Sequence, residues 1–362
     1  MIIFGQTLEQ LQELCCEEGF PKYTAKQLCD WMYRKRVNDF DLMTNLSLKI
    51  RARLGEIAEV GRSAAVDCQT SVDGTKKYLF QVSGFNVQGL SAESTAHQKS
   101  YVESVYIPTS DRATLCISCQ KGCKMGCRFC VTGKQGFHGS LTTAEILNQV
   151  FSIPERERLT NVVFMGMGEP MDNYEAVKQC LEVLCSDWGL GWSPQRITVS
   201  TVGIVPALER LLNETRCHVA VSLHNPFAEE REAIMPTERA YPIADVVRLL
   251  NRYNWYGQRR ISFEYIMFRG LNDDIRHAEA LRSLLYHGSK QSGLGERCRV
   301  NLIRFHTSPE MPYRTSPDIA IDNFCNYLNS HGVTCTVRAS RGEDIMAACG
   351  LLAGKNENGT AN

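Results

Sequence analysis

Beyond Arg112 the sequence settles into short apolar runs alternating with amphipathic segments, and this alternation restricts the fold more than any other feature. Strand-like runs at 114–117, 161–165, 196–200, 218–223, 261–267, 299–303 and 333–337 are separated by segments of helical periodicity, such as 143–151, 174–184, 243–252 and 318–329. Strand alternating with helix predicts a parallel sheet, either doubly wound or rolled into a barrel. Functional groups in such folds lie beyond the carboxyl ends of the strands. That rule places residues 116–130, 166–170, Ser200, 222–224 and the residues after Ile303 on one rim.

The first third reads differently. Residues 5–60 look helical, with Leu8, Leu11 and Leu14 recurring at threes. Between Lys22 and Leu54 stand eight basic residues (Lys22, Lys26, Arg34, Lys35, Arg36, Lys49, Arg51, Arg53) against three acidic ones (Asp30, Asp39, Asp41). This is either a solvated helical face or a phosphate-contacting module. From Asp67 to Pro108 the pattern turns to strands, at 77–82 and 101–107, around a polar loop or insertion at 83–100. The last nine residues, 354–362, are polar and expected to be disordered.

Composition narrows the class. Sixteen cysteines in 362 residues fall well below the roughly 8–10% that marks a disulfide scaffold. Met1–Thr7 shows no charged region leading into an apolar one, and the longest uncharged stretch, 78–92, is too short to cross a bilayer. We therefore expect a cytoplasmic protein with no membrane partner, whose clustered thiols are ligands or catalysts rather than bridges. Forty basic and forty acidic residues cancel, which gives no global sign of nucleic acid but can hide a local patch.

Five cysteines lie within fifteen residues: Cys116, Cys119, Cys123, Cys127 and Cys130. In one reading Cys116, Cys119, Cys127 and Cys130 form a four-thiolate zinc site, although the gap between the two pairs is short for a zinc ribbon. In the other, Cys123, Cys127 and Cys130 hold three irons of a 4Fe-4S cluster and leave the fourth open to chelate the amino and carboxylate groups of S-adenosyl-L-methionine. The C-x3-C-x2-C spacing resembles the radical-SAM superfamily signature. Gly166-Met167-Gly168-Glu169-Pro170 is similar to that superfamily's turn toward the methionyl amino group. A dinucleotide fingerprint would need glycine at Met171.

The chain further resembles the RlmN/Cfr family of RNA adenosine methyltransferases. The resemblance is carried by Asp73-Gly74-Thr75-Lys76-Lys77, Glu103-Ser104-Val105-Tyr106, Thr114-Leu115-Cys116-Ile117-Ser118, Ser200-Thr201-Val202-Gly203, Ser222-Leu223-His224, Asn301-Leu302-Ile303 and Ala347-Ala348-Cys349-Gly350. It implies an α/β fold, a partial (β/α)6 radical-SAM barrel at 111–350. A small helical RNA-binding domain would occupy 1–60, a β-rich connection 61–110 and a disordered tail 351–362. It also implies methylation of an adenine ring carbon in 23S rRNA or tRNA, using a 4Fe-4S cluster and two S-adenosyl-L-methionine molecules per turnover. One cofactor methylates Cys349. A second supplies the radical that lets the methyl carbon add to the ring. Glu103 matches the proton acceptor, and Cys116 attacks the thioether and leaves a Cys116–Cys349 disulfide. Cys123, Cys127 and Cys130 would be the iron ligands, and Gly168, Glu169, Ser200, Ser222, Leu223, His224 and His306 the cofactor contacts. An electron donor such as flavodoxin or ferredoxin is implied, and a monomer is expected.

Taken without the resemblance, each residue has a plainer reading: Cys349 a small buried hydrophobe, Cys116 core or a stray ligand, Glu103 a solvent-facing strand residue, His224 a structural histidine. Gly133-Lys134-Gln135-Gly136-Phe137 and the Asp73 run look more like the carbon-2 branch than the carbon-8 branch. His306 stands where the family has asparagine, His138-Gly139-Ser140 replaces a basic-amide run, Cys119 replaces a commoner serine, and 83–100 looks longer than the family's loop. A non-catalytic zinc RNA-binding protein and a radical-SAM enzyme with another substrate are the competing readings.

Overall fold

The structure, a computed structural model, describes residues 1–82, 100–253, 259–286, 294, 298–307, 311–348 and 350–353. The 83–99 part of the insertion, the tail from 354 and Cys349 lie outside the described residues. The strands are β1 Asp67–Thr70, β2 Lys76–Val82, β3 Ser100–Pro108, β4 Ala113–Cys116, β5 Gln120–Gly122, β6 Phe137–Ser140, β7 Asn161–Phe164, β8 Ile197–Thr201, β9 His218–Ser222, β10 Ile261–Met267, β11 Cys298–Arg304 and β12 Thr334–Val337. Ten of them form one sheet in the order β1-β2-β3-β4-β7-β8-β9-β10-β11-β12. Pairing is antiparallel from β1 to β4 and parallel from β4 onward. The resemblance implies six parallel strands; β4 and β7 to β11 provide them, and β12 extends the run at its edge.

Period-two side-chain alternation splits each parallel strand between two environments. One set, Leu115, Val162, Val199, Val221, Phe263 and Val300, is buried in a core with helix residues such as Leu147, Val177, Leu211, Val246, Leu281 and Phe324. The other set, including Thr114, Cys116, Val163, Ser262, Asn301 and Ile303, lines cavities shared by strands from β4 to β11, so the sheet is curled around an interior. Local signals set the flanking helices. Thr142 caps Thr143–Phe151 through a capping box, its hydroxyl accepting from the Glu145 N–H at 3.2 Å while the Glu145 carboxylate accepts from the Thr142 N–H at 2.9 Å. No helix of the described residues is long and apolar enough to cross a membrane.

Helices Leu8–Glu17, Tyr23–Cys29 and Leu48–Ile57 form the amino-terminal region. Phe4 packs edge-on to Phe151 at 5.3 Å, and Tyr33 sits 6.0 Å from Trp188, so this region shares one continuous core with the barrel. Many of its basic residues are spent internally. Arg36 pairs with Glu157, Lys35 with Asp30, and Arg53 with Glu18 and Glu56. Arg34 donates to the carbonyls of Asp187 and Gly189, and Arg51 to that of Asp41. Lys22, Lys26 and Lys49 stay exposed.

Because the core is continuous, truncating Phe4 to alanine should cost about 3–5 kcal/mol and lower the urea midpoint of a single transition. Two separate transitions in wild type, with only the first moved by Phe4→Ala, would contradict a shared core.

Candidate active site

The loop after β4 turns sharply toward β6. Gly122 has φ +69°, and a Cβ there would lie 1.8 Å from the Gly136 carbonyl oxygen, the atom that accepts the Cys123 N–H at 2.8 Å. Beyond this turn Cys123, Cys127 and Cys130 line one cavity of about 180 Å³. Burial pushes the Cys123 thiol up to about 12 and raises Cys127 and Cys130 as well. Backbone N–H groups oppose this at two sulfurs, from Met125 at Cys123 and from Thr132 and Gly133 at Cys130. Thiols held in this way suit cationic iron, which stabilises thiolate, and N–H groups aimed at sulfur are the means by which iron–sulfur sites are tuned.

The zinc alternative does not survive the geometry. Cys119 donates its N–H to the Met167 carbonyl at 2.9 Å, and its side chain is buried in the hydrophobic core rather than in the cavity. Among the described residues no three His, Cys, Asp or Glu side chains converge as one ion requires. Thiolates about 2.3 Å from a shared zinc would have to.

The β7 turn meets the cysteines from the other side. Gly168 has φ +97°, and a Cβ there would come within 2.5 Å of Gln120 Cβ, so the turn can lie flat on β5 only as glycine. Glu169 is buried in the cavity wall and accepts from the N–H groups of Met171 at 3.1 Å and Val202 at 3.0 Å; burial raises its carboxyl to about 7. Ser200, Ser222 and His224 line the same cavity. His224 holds φ +56°, uncommon for a residue with a Cβ. Its Nδ1 accepts the Ile266 N–H at 3.0 Å, its carbonyl accepts from Asn272 Nδ2 at 2.6 Å, and Phe129 meets its ring edge-on at 4.9 Å. Burial lowers the imidazole to about 3, so it is neutral and Nε2 carries the proton.

Three expected site residues are not among those that line the cysteine cavity. Leu223 is buried in the core, its N–H bonded to the Glu264 carbonyl at 3.0 Å. His306 lines the upper part of the adjoining barrel cavity rather than the cysteine cavity, with Nε2 2.9 Å from Ser340 Oγ. Its ring is held there by Ser340, beyond the carboxyl end of β11. Glu103 shares the β3 face of Val105 and Ile107, which line the cavity, but is not itself a lining residue. Nor is it solvent-facing: it is buried, 3.3 Å from Lys77 Nζ, and accepts the Ala353 N–H at 2.8 Å.

Cys116 lines the cysteine cavity together with Ala347, Ala348 and Gly350, the near neighbours of Cys349. That segment is fastened on both sides. Upstream, Asp344 accepts from Ser71 Oγ at 2.6 Å and Asp73 from the Gly342 N–H at 3.1 Å. Downstream, the Val131 N–H donates to the Gly350 carbonyl at 2.9 Å and Thr132 Oγ1 to that of Leu352 at 2.6 Å. The short helix after Cys130 therefore holds the carboxyl-terminal segment against the cavity.

Two residues escaped the sequence reading. Glu264 stands in the cavity wall, bonded to Asn301 and Ser262 through Oε1, while its Oε2 makes no hydrogen bond among the described residues. Arg231, fully buried, pairs with Glu238 and donates to the carbonyls of Leu223 at 3.0 Å, Val202 at 3.1 Å and Ser222 at 3.0 Å. Its helix, Ala228–Ile234, reads as a solvated surface segment, AEEREAI, which hides it.

A curled parallel sheet with three cysteines after its first parallel strand and a Gly-x-Gly-Glu turn after the second defines a radical SAM enzyme, a class that uses a 4Fe-4S cluster and S-adenosyl-L-methionine. The Radical SAM superfamily model matches residues 117–281, and the model described as the ribosomal RNA large subunit methyltransferase N-terminal domain matches residues 2–60. The probable dual-specificity RNA methyltransferase RlmN of Porphyromonas gingivalis is 51% identical over 97% of this chain and 94% of its own length. That of Phocaeicola vulgatus is 50% identical over 97% and 94%. The crystal structure of a radical SAM methyltransferase from Sphaerobacter thermophilus superposes with TM-score 0.85 at 37% identity, covering 97% of this chain and 99% of that one. The chain belongs to the RlmN family of radical SAM RNA methyltransferases.

Replacing Arg231 with methionine would leave Glu238 buried without its partner and three carbonyls without donors. Arg231→Met should therefore cost about 3–5 kcal/mol in urea unfolding, and the double change Arg231→Met/Glu238→Leu should recover much of it. A loss below about 1 kcal/mol in the single variant would show that the rim does not depend on this pair.

Proposed function

We propose that this chain methylates carbon 2 of an adenosine in 23S rRNA and tRNA, by way of a methyl group carried on Cys349 and a disulfide between Cys349 and Cys116. The observation that carries the reading is that Cys116 and the residues flanking Cys349 line the same cavity as Cys123, Cys127 and Cys130. Cys123, Cys127 and Cys130 would hold the 4Fe-4S cluster. The buried Glu169 carboxylate and the flat Gly168 turn would receive the methionyl ammonium of S-adenosyl-L-methionine. Ser200, Ser222, the Leu223 backbone and the Nε2–H of His224 would complete its contacts. When bound, the cluster and cofactor, with electrons from a donor such as flavodoxin or ferredoxin, supply the methyl group and the one-electron chemistry that activates it.

The chain's own residues then act in sequence. Cys349 bears the methyl carbon that becomes bonded to adenine carbon 2. Glu103 would accept the proton lost from that ring carbon, the electron released with it returning to the one-electron chemistry the cluster would supply, and Lys77 lies 3.3 Å away to balance the carboxylate's charge. The Cys116 thiolate attacks the Cys349 sulfur: the S–S bond forms, the carbon–sulfur bond breaks, and the released carbon takes the electron pair and a proton to become methyl. Two electrons and two protons from an external dithiol, which is itself oxidised to a disulfide, then restore both cysteines. The walls of Phe129, Val202 and Ile266 keep the reacting carbon away from water.

This sequence distinguishes the two thiols. With reconstituted enzyme and RNA under anaerobic conditions, Cys116→Ala is expected to accumulate a covalent RNA–protein adduct on denaturing gels and Cys349→Ala to form none. Equal absence of adduct in both, with the cluster intact, would overturn the assignment.

A further inference from the structure

The lower half of the barrel interior carries a feature that the proposed chemistry does not use. A cavity of about 480 Å³ opens among the amino-terminal ends of the parallel strands, within the usual range for ligand pockets. Arg112, His218, Arg260 and Arg299 stand at its mouth, just before β4, at the start of β9, just before β10 and early in β11. Among the described residues no Asp or Glu lines this cavity. Higher in the lumen Arg338 lies 3.4 Å from Glu264 and Arg341 lies 3.9 Å from Asp73, but Arg112, Arg260 and Arg299 have no ion-pair partner among the described residues. His218 lines the same cavity beside Arg260. Its Nδ1 accepts the Arg260 N–H at 2.9 Å, and burial together with Arg260, Arg259 and Arg299 lowers it to about 4.

The mouth leads to the reacting thiol. Cys116, Met165, Ile303, Ala347 and Ala348 line both this cavity and the cysteine cavity, so the lumen is continuous from the arginines to the site. We propose that the target RNA engages the enzyme at this mouth: one nucleotide leaves its stack and enters the lumen from the amino-terminal ends of the strands, while the phosphodiesters beside it rest on Arg112, Arg260 and Arg299. The inference rests on the reading that the chain methylates RNA. A base that reacts inside a barrel must be extruded from its stack. Planar guanidinium forks match phosphate oxygens, and a concave mouth suits an unpaired loop better than a continuous duplex. The amino-terminal helices, where the sequence shows its basic excess, engage Arg34, Arg36, Arg51 and Arg53 internally. The three guanidiniums of the mouth have no acid among the described residues and gather around one concavity.

The test uses the full chain and an RNA hairpin with an adenosine in its single-stranded loop, followed by fluorescence anisotropy across a salt series. Each phosphate contact contributes about 0.7 to the slope of log K against log salt for single strands. The combined variant Arg112→Ala/Arg260→Ala/Arg299→Ala is expected to flatten the slope by about 2. The same three positions changed to lysine should keep most of it. Lys22→Ala/Lys26→Ala/Lys49→Ala should change it less than the mouth variant does. If wild type binds the hairpin and the alanine variant keeps the full slope, the entry route is wrong while RNA methylation stands. A full slope joined to weaker binding of an acidic flavoprotein would assign the mouth to a protein partner and overturn the proposal. If wild type does not bind RNA at any salt, both readings fall.

Discussion

The rim of the site depends on one buried cation. Parallel strands end in irregular loops whose carbonyls point away from any sheet neighbour, and buried carbonyls need donors. Arg231 supplies them to Val202, Ser222 and Leu223, with Glu238 closing the charge. A guanidinium is suited to this, because its five donors lie in a fixed plane and it stays charged when buried. The loops after β8 and β9 are thereby fixed to each other, and Ser200, Ser222 and His224 stand at one cavity wall. The left-handed conformation of His224 is tolerable because Asn272 and Ile266 hold its carbonyl and ring on the far side.

The two faces of the sheet divide the labour. Outward residues bury the helices in a single core that also takes in the amino-terminal region. Inward residues build an upper chamber of thiols and acids and a lower mouth of arginines. Charge is thus sorted along the barrel axis, with Glu169 and Glu264 in the upper chamber and, at the opposite end, guanidiniums that have no acid among the described residues. Such an order suits a substrate whose reacting part is a neutral ring and whose scaffold is a polyanion.

Much of this was legible because it is local. Strand and helix alternation depends on periodicity, and β4 and β7 to β12 lie within a few residues of the runs read from sequence. The cysteine triad and the Glu169 turn depend on spacing and on glycines whose positions admit no Cβ. What remained hidden depends on distant partners. The helix of Arg231 has a surface-like composition, and only the fold shows three carbonyls around the guanidinium. The excess of basic residues between Lys22 and Leu54 is real, but its partners Glu157, Asp187 and Gly189 lie far along the chain. Cys119 has metal-ligand spacing, yet β4 and the Met167 carbonyl turn its thiol into the core.

We propose that these thiols serve methylation of adenine carbon 2 in RNA. Mass spectrometry of nucleosides from rRNA and tRNA, compared between a strain carrying this gene and one from which it is deleted, tests that claim most directly. 2-Methyladenosine is expected to disappear on deletion and to return with the wild-type gene but not with Cys349→Ala. Unchanged 2-methyladenosine, or loss of 8-methyladenosine instead, would contradict it.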